Sequence, residues 1–342
     1  MIYQTEGQLK KKRRFRTLVL LLFVGIIITF LFSLNVGYIR MHPREILLTL
    51  WGQGTYEQSL TLFQFRLPRM VIALLVGAGL SVSGTVLQGI VRNPLADPGI
   101  IGINSGAGLA VMLFLSFYAG TSNVPVLVLP FLAFIGAGGT AVLIYALSYK
   151  RHEGVHPIRI VLTGVAVAAG ISSLMIVLTL RLDPDKYQFL ATWLAGSIWG
   201  SNWKFVHALW PWLVLLTPYV YWKSSVLNVM NLGDETAIGL GTDLEKERRM
   251  LLAAATALAA ASVSVSGGIG FIGLIAPHMT RRLIGDRHEY VIPIAALVGA
   301  ILLLLADTIG RWIMQPSSIP AGIVVAVIGA PYFLYLLARI KD

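Results

Sequence analysis

The chain has 342 residues, of which 56% are hydrophobic and only 13% charged, with a formal net charge of +11. A soluble globular domain carries about 25% charged residues, so a water-solvated fold is excluded and a bilayer must be the solvent for most of the chain. The sequence holds no cysteine, which removes disulfides, thiolate metal sites and a cysteine nucleophile.

A helix needs ~20 mainly apolar residues to cross a ~30 Å hydrocarbon core. Ten stretches qualify, near 17–36, 67–91, 99–118, 124–149, 158–180, 205–223, 249–266, 268–283, 291–310 and 320–338. The first follows a basic cluster, Lys10, Lys11, Lys12, Arg13, Arg14 and Arg16. That cluster reads as a topology signal that also touches anionic lipid, with no nucleic-acid role. The run Leu18 to Leu34 is long and no A-x-A-like site follows it, so it reads as an uncleaved span. With the N-terminus in the cytoplasm, most of the 27 Lys/Arg residues fall in or beside cytoplasmic segments, as the positive-inside rule requires. The expected architecture is an all-α membrane protein of ten transmembrane helices with both termini cytoplasmic. It is a single transmembrane domain, 1–342, with a basic cytoplasmic N-terminus over 1–16.

The second span opens on Arg66-Leu67-Pro68-Arg69 at the external face. Proline suits the first turn of a helix. The two arginines either snorkel to lipid phosphates or, with Arg311, form a positive rim that holds carboxylates of a docking protein. Small residues Gly77, Gly79, Ser81, Ser83 and Gly84 line this span, and Gly102, Gly106 and Gly108 line the next, the composition that lets membrane helices approach closely. Between the two lies a tight cytoplasmic elbow, Asn93-Pro94-Leu95-Ala96-Asp97-Pro98-Gly99.

Two of the polar stretches, 37–65 and 181–204, are external. The second carries Trp193, Trp199 and Trp203, which predicts a short interfacial helix near 188–200. The third, 223–248, is cytoplasmic. Its acidic pair Asp234-Glu235 suits a helix N-terminus, and Gly239-Leu240-Gly241 suits a break between two short helices, so this segment is read as a partner contact. Spans seven and eight are separated only by Gly267-Gly268. Ser81-Val82-Ser83-Gly84 recurs as Ser264-Val265-Ser266-Gly267 on spans of opposite direction, a pattern consistent with inverted repeats.

No energy source is visible in the chain. There is no P-loop, no H-E-x-x-H and no nucleophile elbow. The one acidic residue deep in a span is Asp307, four residues before Arg311, which reads as an ion pair. His278 reads as a structural hydrogen-bonder. A partner must therefore drive any transport.

Taken together, several long motifs resemble the iron-siderophore/cobalamin permease family. They are Arg66-Leu67-Pro68-Arg69, Asn93 through Gly99, Gly270-Phe271-Ile272-Gly273-Leu274-Ile275-Ala276-Pro277-His278, Leu305-Ala306-Asp307, Ile319-Pro320-Ala321-Gly322-Ile323-Val324 and Gly329-Ala330-Pro331. The resemblance spans nearly the whole chain and implies the membrane subunit of a type II ABC importer. It implies three partners: a cytoplasmic ABC ATPase dimer, a second permease subunit (a copy or a paralogue) and an extracytoplasmic siderophore-binding protein. It also implies site residues. Arg66, Arg69 and Arg311 match the docking arginines. Asp234, Glu235, Ala237, Gly239, Leu240 and Gly241 match the coupling helices. Asn93, Pro94 and Leu95 match the cytoplasmic gate. A second gate loop falls on His156-Pro157-Ile158, which lacks the small hydroxyl residues of the vitamin B12 permease. The substrate implied is an iron(III)-siderophore, with cobalamin or haem the alternative. The subunit itself would be no enzyme and would hold no cofactor or metal. An ion-coupled secondary transporter also fits ten spans, but lacks buried acidic residues to carry the coupling ion.

Overall fold

A computed structural model describes residues 6–37, 39, 41–118, 125–151, 154–155 and 157–339. Helix α1 spans Glu6–Asn35, so the basic cluster is already helical and continuous with the first apolar run. Two short helices follow, α2 (Pro43–Leu50) and α3 (Tyr56–Leu60). A π-helical turn over Thr61–Arg66 then leads without a break into α4 (Leu67–Val91). Helix α5 (Ile103–Phe117) begins later than the apolar run predicts. The reason lies in the backbone: Pro98–Ile101 forms a 3-10 turn and Gly102 is left-handed, at φ +69°, a conformation that glycine adopts without Cβ strain.

Helix α6 (Val128–Ser148) is joined to α7 (Pro157–Thr179) through a two-stranded ribbon, β1 (Tyr149–Lys150) and β2 (Gly154–Val155). His156, in the second predicted gate loop, lies outside the described residues. The interfacial helix expected near 188–200 lies earlier, as α8 (Pro184–Leu194), capped by Asp183, whose side chain accepts from Lys186 N. Of the three tryptophans it holds only Trp193, while Trp199 lies in the loop that follows and Trp203 opens α9. Helix α9 covers Trp203–Trp222 and carries Pro211 and Pro218. Two short helices, α10 (Ser224–Met230) and α11 (Asp234–Gly239), precede α12 (Leu244–Ser266). The chain ends in α13 (Ile272–Ile284), α14 (His288–Ile313) and α15 (Ala321–Arg339).

Among the described residues, seven helical stretches are long and apolar enough to cross a membrane; α5, α9 and α13 fall short by length or composition. The break at Gly267-Gly268 is real, with α12 ending at Ser266 and Gly267 at φ +69°.

The core forms around α4, which packs on α9, α12, α13 and α14 and is buried over most of its length. Small residues set those distances. A Cβ on Gly84 would fall 1.9 Å from the carbonyl oxygen of Gly273, and one on Gly77 would fall 2.2 Å from that of Gly299. Van der Waals packing at backbone distance replaces the hydrophobic effect as the force joining helices in lipid. By contrast, α7 leaves most of its apolar surface uncovered.

Candidate functional site

Three polar clusters interrupt this apolar body, and α4 carries residues of two of them at its opposite ends. At its first end, Asp307 on α14 is fully buried between two guanidinium groups. Arg69 donates to its Oδ1 from Nε at 2.9 Å, and Arg69 Nη2 makes an ion-pair contact with the same oxygen at 2.8 Å. Arg311 donates to its Oδ2 from Nε at 3.0 Å. The i,i+4 pair expected from sequence is therefore present, but Arg69 shares the same carboxylate. Arg311 also donates to Val36 O at 2.6 Å and to Ser33 Oγ at 2.5 Å. Arg66 donates to the carbonyls of Leu34 and Ile39.

The last carbonyls of a helix have no partner within it. Here arginines from two other elements supply the donors at the end of α1. The structure thus brings the three predicted docking arginines together, with most of their hydrogen-bond capacity used internally: Arg66 is 6% exposed and Arg311 9%. Arg69 is the more open, its side chain 14% exposed. The snorkelling alternative does not fit such burial. The role of Ser33 carried no sequence signal, because it depends on α1 lying against α14.

At the other end, α4 stops at Arg92, which is left-handed at φ +53°. The elbow that follows is built from side-chain caps. Asn93 Oδ1 accepts from Leu95 N at 2.9 Å, and Asp97 Oδ1 accepts from Gly99 N at 2.8 Å, both turns of the Asx type. Burial pushes the Asp97 carboxyl up to about 6, partly opposed by the Gly99 N–H. Gln88, one turn before the end of α4, donates to Ala96 O and Gly273 O, each at 3.2 Å, and accepts from Arg281. The elbow is thereby tied to α13. Leu95 packs against a cluster of Leu274, Ile275 and Leu336, while Asn93 and Pro94 stay exposed. His278 does not behave as expected: its Nε2 is buried with no hydrogen-bond partner among the described residues, and its ring stands edge-on to Tyr332.

The third cluster is the segment around α11. The sequence reading of two short helices split at Gly-Leu-Gly is corrected in its second member, which is the start of long α12. Asp243 caps that helix by accepting from Lys246 N, and no breaker follows before Gly267. Ala237 faces inward and is fully buried. Ile238, which sequence reasoning missed, is 60% exposed and Leu240 63% exposed. Gly241 needs its glycine for φ +82°, whereas Gly239 has ordinary dihedrals and open space around its Cβ position. Nothing inside the chain explains a glycine there.

Ion pairs bind this segment to the body. Asp234 pairs with Arg92 and, at 3.1 Å, with Arg248 Nη2. Lys223 Nζ meets Glu247 Oε1 at 2.6 Å. Asn228 on α10 donates to Glu289 at 2.8 Å and accepts from the His288 backbone N at 2.8 Å. Among the described residues no group of three or more His, Asp or Glu side chains is placed to hold a metal ion.

Comparison with known proteins assigns these features a family. The sequence model of the FecCD transport family matches residues 25–339. The chain is 48% identical over 321 residues to an iron(3+)-hydroxamate import system permease protein of Bacillus subtilis, covering 93% of this chain and 95% of that one. It is 44% identical over 328 residues to an Fe(3+)-citrate import system permease protein of the same organism, covering 96% of each. A solved structure of a metal-chelate type ABC transporter in an inward-facing conformation superposes with a TM-score of 0.83 at 32% identity. That match covers 95% of this chain and all of the other.

Proposed function

Because the chain belongs to the FecCD transport family, a family of multi-pass cell-membrane permeases, we propose that it carries an iron(III)-siderophore across the cytoplasmic membrane as one subunit of an ABC importer. The observation that carries the substrate is the 48% identity, over nearly the full length, to an iron(3+)-hydroxamate permease. In this reading the chain forms one transmembrane domain of ten crossings with both termini cytoplasmic. Helices α5, α9 and α13 cross as part of a bundle that shields their polar groups, and the two halves are inverted repeats. The subunit catalyses nothing itself, so a cytoplasmic ATPase dimer supplies the energy.

Residues 234–241 would lie against that ATPase. An exposed Ile238, an exposed Leu240 and a glycine with no internal reason to be one support this. The gate would be Asn93, Pro94 and Leu95, exposed at the tip of the elbow or packed just behind it. Arg66, Arg69 and Arg311 would receive the extracytoplasmic binding protein. Three guanidinium charges against the single carboxylate of Asp307 leave an excess of positive charge at that end, which suits an acidic partner surface. The uncovered faces of α7 would meet a second permease subunit and lipid.

Uptake of labelled ferric hydroxamate by cells carrying the complete importer tests the reading. Uptake should stop on ATP depletion and persist when the proton gradient is collapsed with ATP maintained. The reverse pattern would establish a secondary transporter.

A further inference from the structure

Asp234 is the first residue of α11, and its carboxylate is turned toward two arginines of the body of the subunit. It is shared by Arg92, the left-handed residue at which α4 turns into the elbow, and by Arg248 of α12. Gly233, at φ +109°, sets the chain so that Asp234 reaches both; a Cβ there would lie 3.8 Å from Arg92 Nη1. The side chains of Arg92 and Asp234 are about one-third exposed, at 35% and 36%. An isolated pair this open adds little to stability. Yet it is the direct tie, among the described residues, between α11 and the residue next to Asn93. Arg248, only 10% exposed in its side chain, anchors the same carboxylate to α12, while Arg92 is the more exposed of the two arginines.

We propose that Arg92 is a positioning residue that couples α11 to the elbow: a displacement of α11 is handed through Asp234 to the end of α4 and so to residues 93–97. The elbow's other tie, Gln88 to Ala96, Gly273 and Arg281, holds it to α13, so the elbow is loaded from two sides. This inference rests on the reading that α11 contacts the ATPase, and the experiment separates the two.

The complete importer is purified and reconstituted in proteoliposomes with Arg92→Ala, Arg92→Lys or Ile238→Asp. For Arg92→Ala the ATPase should co-purify and hydrolyse ATP within about twofold of the parent, while ferric-chelate uptake per ATP falls about fivefold, the equivalent of about 1 kcal/mol of coupling. Arg92→Lys, which keeps the charge, should recover most of that loss. A subunit that merely lost stability would lower hydrolysis and uptake together. Parallel loss, unchanged uptake per ATP, or failure of lysine to recover coupling would each overturn the proposal. Ile238→Asp should lose the ATPase from the purified complex. If it does not, the ATPase-contact reading fails, and with it the premise. If it does while Arg92→Ala transports normally, the coupling role of Arg92 alone is refuted.

Discussion

Replacing Asp307 with alanine tests whether the arginine cluster is a structural element as well as a charged rim. The carboxylate is fully buried. It takes two hydrogen bonds from two guanidinium groups, at 2.9 and 3.0 Å, and a further ion-pair contact from Arg69 Nη2 at 2.8 Å. Alanine leaves Arg69 and Arg311 facing each other with Arg66 beside them and no counter-charge. Breaking a buried ion pair by removing one partner costs about 3–5 kcal/mol, because an uncompensated charge remains. Arg311 keeps Ser33 and Val36 as acceptors, and Arg69 reaches some water, so the lower end, about 3 kcal/mol, is expected. The double variant Arg69→Ala/Asp307→Ala removes one of the stranded charges and should be more stable than Asp307→Ala alone. Denaturant unfolding of the detergent-purified subunit, followed by helical signal, measures both through linear extrapolation. A loss under about 1 kcal/mol for Asp307→Ala, the range of exposed ion pairs, would refute the argument. So would a double variant less stable than the single one.

Other consequences can be read separately. Gly84→Ala places a methyl where Gly273 O now sits at 1.9 Å. Backbone cannot yield as a side chain can, so a cost above the usual ~1–3 kcal/mol of overpacking is expected; wild-type thermal stability in detergent would contradict the close approach. Arg69→Gln keeps a donor for Asp307 but removes charge, and should slow association of the binding protein and flatten its salt dependence, with little change in dissociation. An unaltered salt dependence in surface-binding kinetics would remove Arg69 from the docking role. The Asp97 carboxyl titrates at about 6 in the folded chain against 3.8 when unperturbed. The native state therefore holds this proton more tightly, so its stabilising share is full at acid pH, is lost as pH rises through that window and stays lost above it. Asp97→Asn should flatten the pH dependence of the unfolding midpoint across this window. An unchanged slope would show that the carboxyl is not the titrating group.

Much of this structure was legible because the membrane imposes simple rules. Length and hydropathy marked the long helical segments, while the tryptophans placed the interfacial helix a few residues too late, since α8 ends at Leu194. Proline at position 68 and the asparagine and aspartate of the elbow signalled local geometry that is present, whereas Gly102, read as a packing position within the span, is the left-handed residue that delays the start of α5. What could not be read is what depends on two segments meeting. Ile238 looks like any apolar residue in a short polar segment until Ala237 is seen to take the buried position beside it. Arg92 looks like one more cytoplasmic positive charge, and only the fold sets Asp234 against it. His278 reads as polar in sequence, yet the packing around Tyr332 leaves one of its nitrogens unmatched.

The same contrast bears on how two faces of one subunit could respond to each other. Helix α4 begins beside the Asp307 cluster and ends at Gln88 and Arg92, and between them it packs at backbone distance on α13 and α14 through Gly84 and Gly77. Close-packed interiors are not continuously deformable, so such a helix moves as a rod or not at all. A shift of the elbow imposed through Arg92 must then either rotate α4 together with α13 and α14 or break the Gln88 ties to Ala96 and Gly273. The first route carries the motion to Arg69 and Arg311, which sit on two of those helices. The second confines it to the cytoplasmic end. Gln88→Leu decides between them: it removes the polar ties without removing volume, so it should leave binding-protein affinity unchanged if motion is confined to the elbow, and alter its nucleotide dependence if α4 moves as one body.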